Sequence, residues 1–318
     1  MANYKAVFIG TGMIGAGLGA NALLHDFDVT LYDVVSEEQI RKNLKNIFDI
    51  LVEAGMTTQA IADEKQKTVK ISTDLKEALK GGADIVQEAV PEREDLKRSI
   101  FRTVQEILGD KTIIVSTTSH YFPSILQKDA LYPGNILVAH PYNPSYILPL
   151  IEICGPECPK DVIDKVVEVY TAMGKAPIVC RKEVDGFIVN NISWKALFTA
   201  MDIVEQGVCS VEDVDRAIMF GPGMRMAILG QIMCISLGID GGIAKGPEKY
   251  GLPHKPIYDI AGKGIASEDS FRQAVYVAMD VFRNRAWEKE ISARPLRKQY
   301  YEKRDDSDKL KLDSIEEE

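Results

Sequence analysis

The sequence predicts an α/β domain with a mostly parallel sheet, followed by an all-helical domain. Two patterns carry that expectation. As far as Lys182, short β-rich runs alternate with amphipathic helical stretches, the order of a parallel sheet covered on both faces. From Gly186 onward the chain reads as helices, with no convincing strand pair between them. The length of 318 residues agrees, since about 150 residues per domain leaves room for two.

The first strand-like run is Lys5 to Ile9, and Met13 to Leu24 continues as a small-residue helix. Phe27 to Tyr32 reads as the second strand. Ser36 can cap the next helix with Gln39 as its capping-box partner, Ile40, Leu44, Ile47, Phe48 and Leu51 share one face, and Gly55 supplies a stop. Further β runs are expected at Val69 to Ser72, Asp84 to Val90, Thr112 to Ser116, Ile136 to His140, Leu148 to Ile153 and Pro177 to Cys180. Leu96, Ile100, Phe101, Val104 and Leu108 form a helical stripe between two of them. In the second half, helices are expected from Phe187 to Glu205, from Val211 to Met219 behind Ser210, and from about Asp269 to Trp287. The Gly- and Pro-rich stretch from Gly238 to Gly264 reads as an irregular connection. Residues 305–318 hold seven acids against two lysines and read as a solvated tail.

Composition narrows the function classes. With 46 % apolar and 27 % charged residues, the chain is neither disordered nor low-complexity. A net charge of -9 argues against a sequence-independent grip on nucleic acid. No run approaches the ~18 apolar residues of a membrane helix, and the N-terminus enters a strand without a signal-like segment, so a cytoplasmic location is expected. Five cysteines cannot all pair within the chain and fit free thiols. Cys154 and Cys158 have no His partners at metal-ligand spacing, so no metal is assigned.

Chemistry enters at Gly10-Thr11-Gly12-Met13-Ile14-Gly15, a G-x-G-x-x-G turn directly between the first strand and its helix. Gly10 permits the tight turn, Gly12 lets backbone approach a pyrophosphate, and Gly15 lets helix and strand pack closely. The N–H groups of Met13 and Ile14 open a helix whose positive end suits the phosphates. Asp33 ends the second strand, 18 residues beyond Gly15. A carboxylate there accepts from ribose hydroxyls and repels a 2′-phosphate, so NAD is the expected cofactor and a Rossmann-type NAD-binding domain the expected fold, over residues 1–184. A helical domain then covers 185–304.

His140 ends a strand run, where an open α/β sheet places its ligands. Glu152 sits inside the apolar run Leu148-Pro-Leu-Ile-Glu-Ile153, where a carboxylate is costly unless paired. A buried Glu holding a His is an arrangement suited to proton transfer, although such a pair taken alone is more often structural.

Taken together, the Gly10–Gly15 turn, Ser116-Thr-Thr-Ser119, His140-Pro-Tyr-Asn143-Pro, Leu150-Ile-Glu152 and Asp185-Gly-Phe-Ile-Val-Asn190 resemble the 3-hydroxyacyl-CoA dehydrogenase family in order and spacing, over roughly residues 4–230. The resemblance implies a Rossmann-type domain with an added antiparallel edge, a helical domain that forms a homodimer, and NAD-dependent oxidation of an L-3-hydroxyl. It implies that His140 is the general base and Glu152 its orienting partner. It also implies that Ser119 and Asn190 hold the reacting oxygen, Asn143 lies beside the nicotinamide end, and Glu92 and Lys97 contact the cofactor.

Phe220-Gly-Pro-Gly-Met-Arg225 departs from the acyl-CoA branch and resembles the branch containing L-gulonate 3-dehydrogenase (lambda-crystallin) and L-carnitine dehydrogenase. Pro123-Ser124, Tyr146-Ile-Leu-Pro149 and Arg181-Lys-Glu183 lean the same way. A free hydroxy acid presents a carboxylate that a guanidinium grips in two-pronged fashion, so Arg225 is the candidate anchor. Tyr142, Tyr146, Phe187 and Trp194 are candidates for a trimethylammonium group. The alternatives are a short-chain 3-hydroxyacyl-CoA substrate, or a catalytically silent NADH-binding structural protein. His120 is open between lining the pocket and facing solvent, and Arg41, Lys42 and Lys45 read as a solvated helix face.

Overall fold

A computed structural model describes residues 4–239, 242–253 and 255. The helix expected near Asp269 to Trp287 and the acidic tail lie outside the described residues, as does most of the connection after Gly251.

Alternating elements build the first part: β1 (Lys5–Ile9), α1 (Met13–Leu24), β2 (Asp28–Tyr32), α2 (Glu37–Glu53), α3 (Gln59–Thr68), β3 (Lys70–Ser72), α4 (Leu75–Leu79), β4 (Ile85–Glu88), α5 (Glu94–Leu108), β5 (Ile113–Ser116), α6 (Pro123–Leu126), β6 (Ile136–Pro141), β7 (Leu150–Cys154), α7 (Lys160–Ala172) and β8 (Ala176–Cys180). They form one sheet in the order β3-β2-β1-β4-β5-β6-β7-β8. All pairs are parallel except β6–β7, so β7 and β8 form an antiparallel edge. The order reverses between β1 and β4, the switch point where such sheets leave a crevice at their carboxyl ends.

Period-two alternation explains why both faces are covered. In β1, Ala6 and Phe8 point into one apolar cluster with Leu18, Leu31 and Phe48, while Val7 and Ile9 point into a second with Val86, Phe101 and Ile114. In α2, Ile40, Leu44, Ile47, Phe48 and Leu51 are its buried residues, and Ser36 caps it by accepting from the Gln39 N–H. The short α3 buries only Ala62, so no apolar stripe announces it in the sequence.

Six strand starts differ from expectation by one or two residues, and for two of them the local hydrogen bonds give the reason. The Phe27 N–H closes the end of α1 on Ala22, so β2 begins one residue later. Leu148 donates back to Pro144 within a turn and Pro149 has no N–H to give a ladder, so β7 begins at Leu150.

The later elements are helical: α8 (Phe187–Glu205), α9 (Val211–Ile218), a π-turn at Met219–Gly223, α10 (Met224–Leu229), α11 (Gln231–Leu237) and α12 (Gly246–Tyr250). Ser210 caps α9 through the Asp213 N–H. By contacts the chain divides after Ala196, inside α8, so the first turns of that helix group with the sheet domain. Among the described residues no helix is long and apolar enough to cross a membrane.

Candidate active site

A cavity of about 680 Å³ opens at the carboxyl ends of β1, β4, β5 and β6. At one end it is lined by Gly10, Gly12, Ile14 and Asp33, and at the other by Glu92, Ser119, His140 and Asn143. Its walls between are mostly apolar, with Val90, Leu96 and Ile100 among them. One crevice therefore gathers eight of the residues singled out from sequence.

The glycine turn fits a dinucleotide for steric reasons. Gly10 has φ +91°, and a Cβ there would lie 2.6 Å from the Ala89 carbonyl oxygen. A Cβ on Gly15 would lie 1.9 Å from the Gly10 carbonyl oxygen, so this glycine is needed where helix and turn touch. Gly12 is different: a Cβ there would meet nothing within 4 Å, leaving open space in front of the first turn of α1. That turn holds no acidic residue, so its free N–H groups are unopposed toward an anion. Met13 is 66 % exposed beside this space, and the cavity lining runs past it to Ile14. Asp33 Oδ2 accepts from the Thr11 backbone N–H at 2.6 Å and the Thr11 hydroxyl at 2.8 Å, and Oδ1 accepts from the Val34 N–H at 2.7 Å. Asp33 thus fastens the glycine turn while facing the cavity.

The buried His–Glu pair comes from register. His140 and Glu152 are directly opposed residues of the antiparallel β6–β7 pair. Their side chains meet at 2.8 Å, His140 Nδ1 to Glu152 Oε2, with Glu152 completely buried and His140 5 % exposed. An ionised carboxylate only accepts, so Nδ1 carries the hydrogen and Nε2 keeps its lone pair. The other oxygen, Oε1, accepts from the Ile188 and Val189 N–H groups at 2.8 and 2.9 Å. Glu152 therefore caps α8 as well, and Asn190 follows immediately in that first turn, half-buried. Phe187, in the left-handed region at φ +50°, stacks on the His140 ring with centroids 5.1 Å apart. Tyr146 is buried, its carbonyl accepting from Asn21 Nδ2, and the Tyr142 hydroxyl lies 3.4 Å from Ser193 Oγ.

Glu92 lines the cavity and also accepts from the Thr118 hydroxyl at 2.9 Å and the Ser119 N–H at 3.3 Å. Lys97, expected from its motif to contact cofactor, is fully buried and absent from the cavity wall. Its ammonium lies 2.7 Å from Glu88 Oε1 and 3.5 Å from Glu92 Oε2. Burial raises the Glu88 carboxyl above its usual range, while Lys97, Ser116 and the Val90 N–H pull the other way. Glu88 was passed over in the sequence, although its signal, an acid ending the buried run Ile85-Val86-Gln87, is the one that exposes Glu152. His120 is exposed and meets Tyr121 edge-on. Arg225 is exposed in the second unit, on α10.

The sequence matches two domain descriptions: 3-hydroxyacyl-CoA dehydrogenase, NAD binding domain, over residues 5–184, and 3-hydroxyacyl-CoA dehydrogenase, C-terminal domain, over residues 186–262. The chain belongs to the 3-hydroxyacyl-CoA dehydrogenase family. Its sheet domain is the family's NAD-binding domain, which makes NAD the cofactor of the glycine turn. Among curated relatives, the L-carnitine dehydrogenase of Bacillus cereus is 34 % identical over 73 % of this chain and 71 % of its own length. The L-carnitine dehydrogenase/betainyl-CoA thioesterase of Ruegeria pomeroyi is 37 % identical over 71 % of this chain, which spans only 46 % of that protein. Among solved structures, 3-hydroxybutyryl-CoA dehydrogenase of Escherichia coli K12 superimposes with a TM-score of 0.62 at 26 % identity, over 69 % of this chain and 46 % of its own.

Proposed function

We propose that this family member oxidises the 3-hydroxyl of a small L-3-hydroxy acid, carnitine- or gulonate-like, to the 3-keto acid with NAD. The observation that carries the reading is the buried His140–Glu152 pair beside a cavity that also holds Ser119 and the glycine turn. The turn from Gly10 to Gly15 would hold the pyrophosphate and Asp33 the ribose, leaving Asn143 and Glu92 near the nicotinamide. When bound, NAD supplies the hydride acceptor. His140 Nε2 takes the hydroxyl proton as the C3 hydride departs, and Glu152 stabilises the imidazolium that results. Ser119 and Asn190 donate to the reacting oxygen, where charge is greatest in the transition state.

Arg225 is assigned the substrate carboxylate. Support comes from the L-carnitine dehydrogenases among the relatives and from the chemistry of a guanidinium facing a free acid. A second reading, oxidation of a short 3-hydroxyacyl-CoA, is favoured by the likeness to 3-hydroxybutyryl-CoA dehydrogenase. A panel of carnitine, gulonate, 3-hydroxybutyrate and 3-hydroxybutyryl-CoA, followed by NADH absorbance, separates them. The free-acid reading expects turnover of one of the first three, with KM for that acid rising in Arg225→Met. Turnover of the thioester alone, or an unchanged KM, overturns it. A cytoplasmic homodimer is part of the proposal; Ile192, Leu197 and Met201 are exposed apolar residues on α8 that a second copy would cover, and light scattering of the purified chain tests this.

A further inference from the structure

Behind the reaction end of the cavity, Glu92 is joined to Glu88, Ser116, Thr118 and Lys97, side chains that the mechanism above does not use. Glu88 is completely buried at the end of β4. Its Oε2 accepts from the Ser116 hydroxyl at 2.5 Å, and its Oε1 accepts from Lys97 and the Val90 N–H, each at 2.7 Å. Ser116 Oγ in turn accepts from the Thr118 N–H at 3.3 Å. The Thr118 hydroxyl donates to Glu92, and Glu92 returns to Lys97 at 3.5 Å. The contacts therefore close a ring: Glu88, Ser116, Thr118, Glu92, Lys97 and back to Glu88. Thr118 Oγ1 also accepts from the His120 and Tyr121 N–H groups, so the ring fixes the backbone on both sides of Ser119. Ser119 itself is exposed to the cavity and hangs from the ring by its own N–H.

The electrostatics explain why such a ring holds one geometry. A carboxylate and an ammonium buried together leave a strongly unfavourable lone charge if either partner moves away, so the pair resists displacement. Both oxygens of Glu88 are also bonded to groups beside the cavity, Oε1 to the Val90 N–H after β4 and Oε2 to the Ser116 hydroxyl at the end of β5. The backbone adds a further tie, the Thr117 N–H donating to the Glu88 carbonyl at 2.9 Å.

We infer that Glu88, Lys97 and Ser116 are positioning residues that set the placement of Ser119. This rests on the reading of Ser119 as a donor to the reacting oxygen. A donor displaced by about 1 Å costs on the order of a hundredfold in rate, while affinity for NADH, gripped mainly at the glycine turn, changes little.

The test is a double-mutant cycle between Ser116→Ala and Ser119→Ala in the full chain, with turnover and NADH affinity by fluorescence titration both measured. Ser116→Ala is expected to lower kcat at least about tenfold, and to lower it less than about twofold further once Ser119 is already Ala, because residues acting as a unit are non-additive. NADH affinity should stay within about threefold of the parent in Ser116→Ala. Additive effects, or an unchanged kcat in Ser116→Ala, overturn the positioning role. If Ser119→Ala alone leaves kcat untouched, it is the reading of Ser119 that fails, and the inference falls with it. Lys97→Met leaves Glu88 without its cation and can compromise folding, which is why the neutral Ser116→Ala decides the question of placement.

Discussion

His140 and Glu152 face each other across a single antiparallel rung, and the carboxylate that holds the imidazole also caps α8. One buried group thus holds both the imidazole and the first turn of the helix that carries Asn190. Replacing Glu152 with Gln removes the acceptor that keeps hydrogen on Nδ1, because the amide can present its NH2 and reverse the tautomer. Turnover of Glu152→Gln should fall by about 10²- to 10⁴-fold, with NADH affinity by fluorescence titration nearly unchanged. Turnover within tenfold of the parent would falsify the assignment of His140 as an oriented base.

Gly12 and Gly10 lie two residues apart in the same turn and should fail in different ways. Gly12 has ordinary φ of -63° and open space where a Cβ would go. Gly12→Val is therefore expected to keep the parent's Tm while losing NADH binding by at least about tenfold, since the new side chain fills space meant for phosphate. Gly10→Ala places a Cβ against the Ala89 carbonyl at left-handed φ, and should lose stability by about 1–3 kcal/mol. Equal losses of Tm in both variants would mean that Gly12 serves the fold and not the ligand.

Asp33 is doubly employed, holding Thr11 and facing the cavity. Its charge should exclude a 2′-phosphate, so NADPH is expected to bind at least about a hundredfold more weakly than NADH, roughly 2.7 kcal/mol. Asp33→Ser should narrow that ratio mostly by weakening NADH, and should lower the Tm as the Thr11 N–H loses its acceptor. A calorimetric titration with both nucleotides checks this, and equal parent affinities overturn the ribose role of Asp33.

Much of this site was legible because its signals are local. The glycine turn, the acid ending β2 and a histidine at the end of β6 can each be read within a few residues. Glu152 was legible for another reason, since an acid inside an apolar strand has to be satisfied by something. The capping of α8 by Glu152 was not legible, because the Ile188 and Val189 N–H groups lie 36 and 37 residues away along the chain. Lys97 shows what a motif leaves out: its position suggests a cofactor contact, and only the packing of α5 against β4 reveals it as the partner of Glu88 as well. Ser124 and Glu183, noticed as two separate sequence fragments, bond to each other through the Ser124 N–H at 2.8 Å and hydroxyl at 2.7 Å. Pairings between distant segments are tertiary facts, and one-dimensional patterns carry the residue types without the partnership.

Lys175 yields a prediction about stability at alkaline pH. It is a buried cation whose ammonium donates to the Ser145 and Leu148 carbonyls, tying down the loop after β6 that carries Asn143. Burial pushes its pKa down from the ordinary 10.5 to about 8. Between those values the unfolded chain holds a proton that the folded chain has released, so the unfolded state binds more protons and this residue's contribution rises with pH. It favours folding least below pH 8 and gains steadily toward pH 10.5. Other groups oppose it, notably Cys158, which burial pushes up to about 11 and whose thiol therefore costs stability as pH rises past 9. The comparison with Lys175→Met isolates the lysine, because the cysteines and tyrosines are common to both chains. Denaturant melts at pH 7.5 and 9.5 should show the parent gaining stability relative to Lys175→Met at the higher pH. A difference between the two proteins that is independent of pH would show that Lys175 keeps the same charge in the folded and unfolded states, and that its two carbonyl contacts are enough to hold a full ammonium in the core.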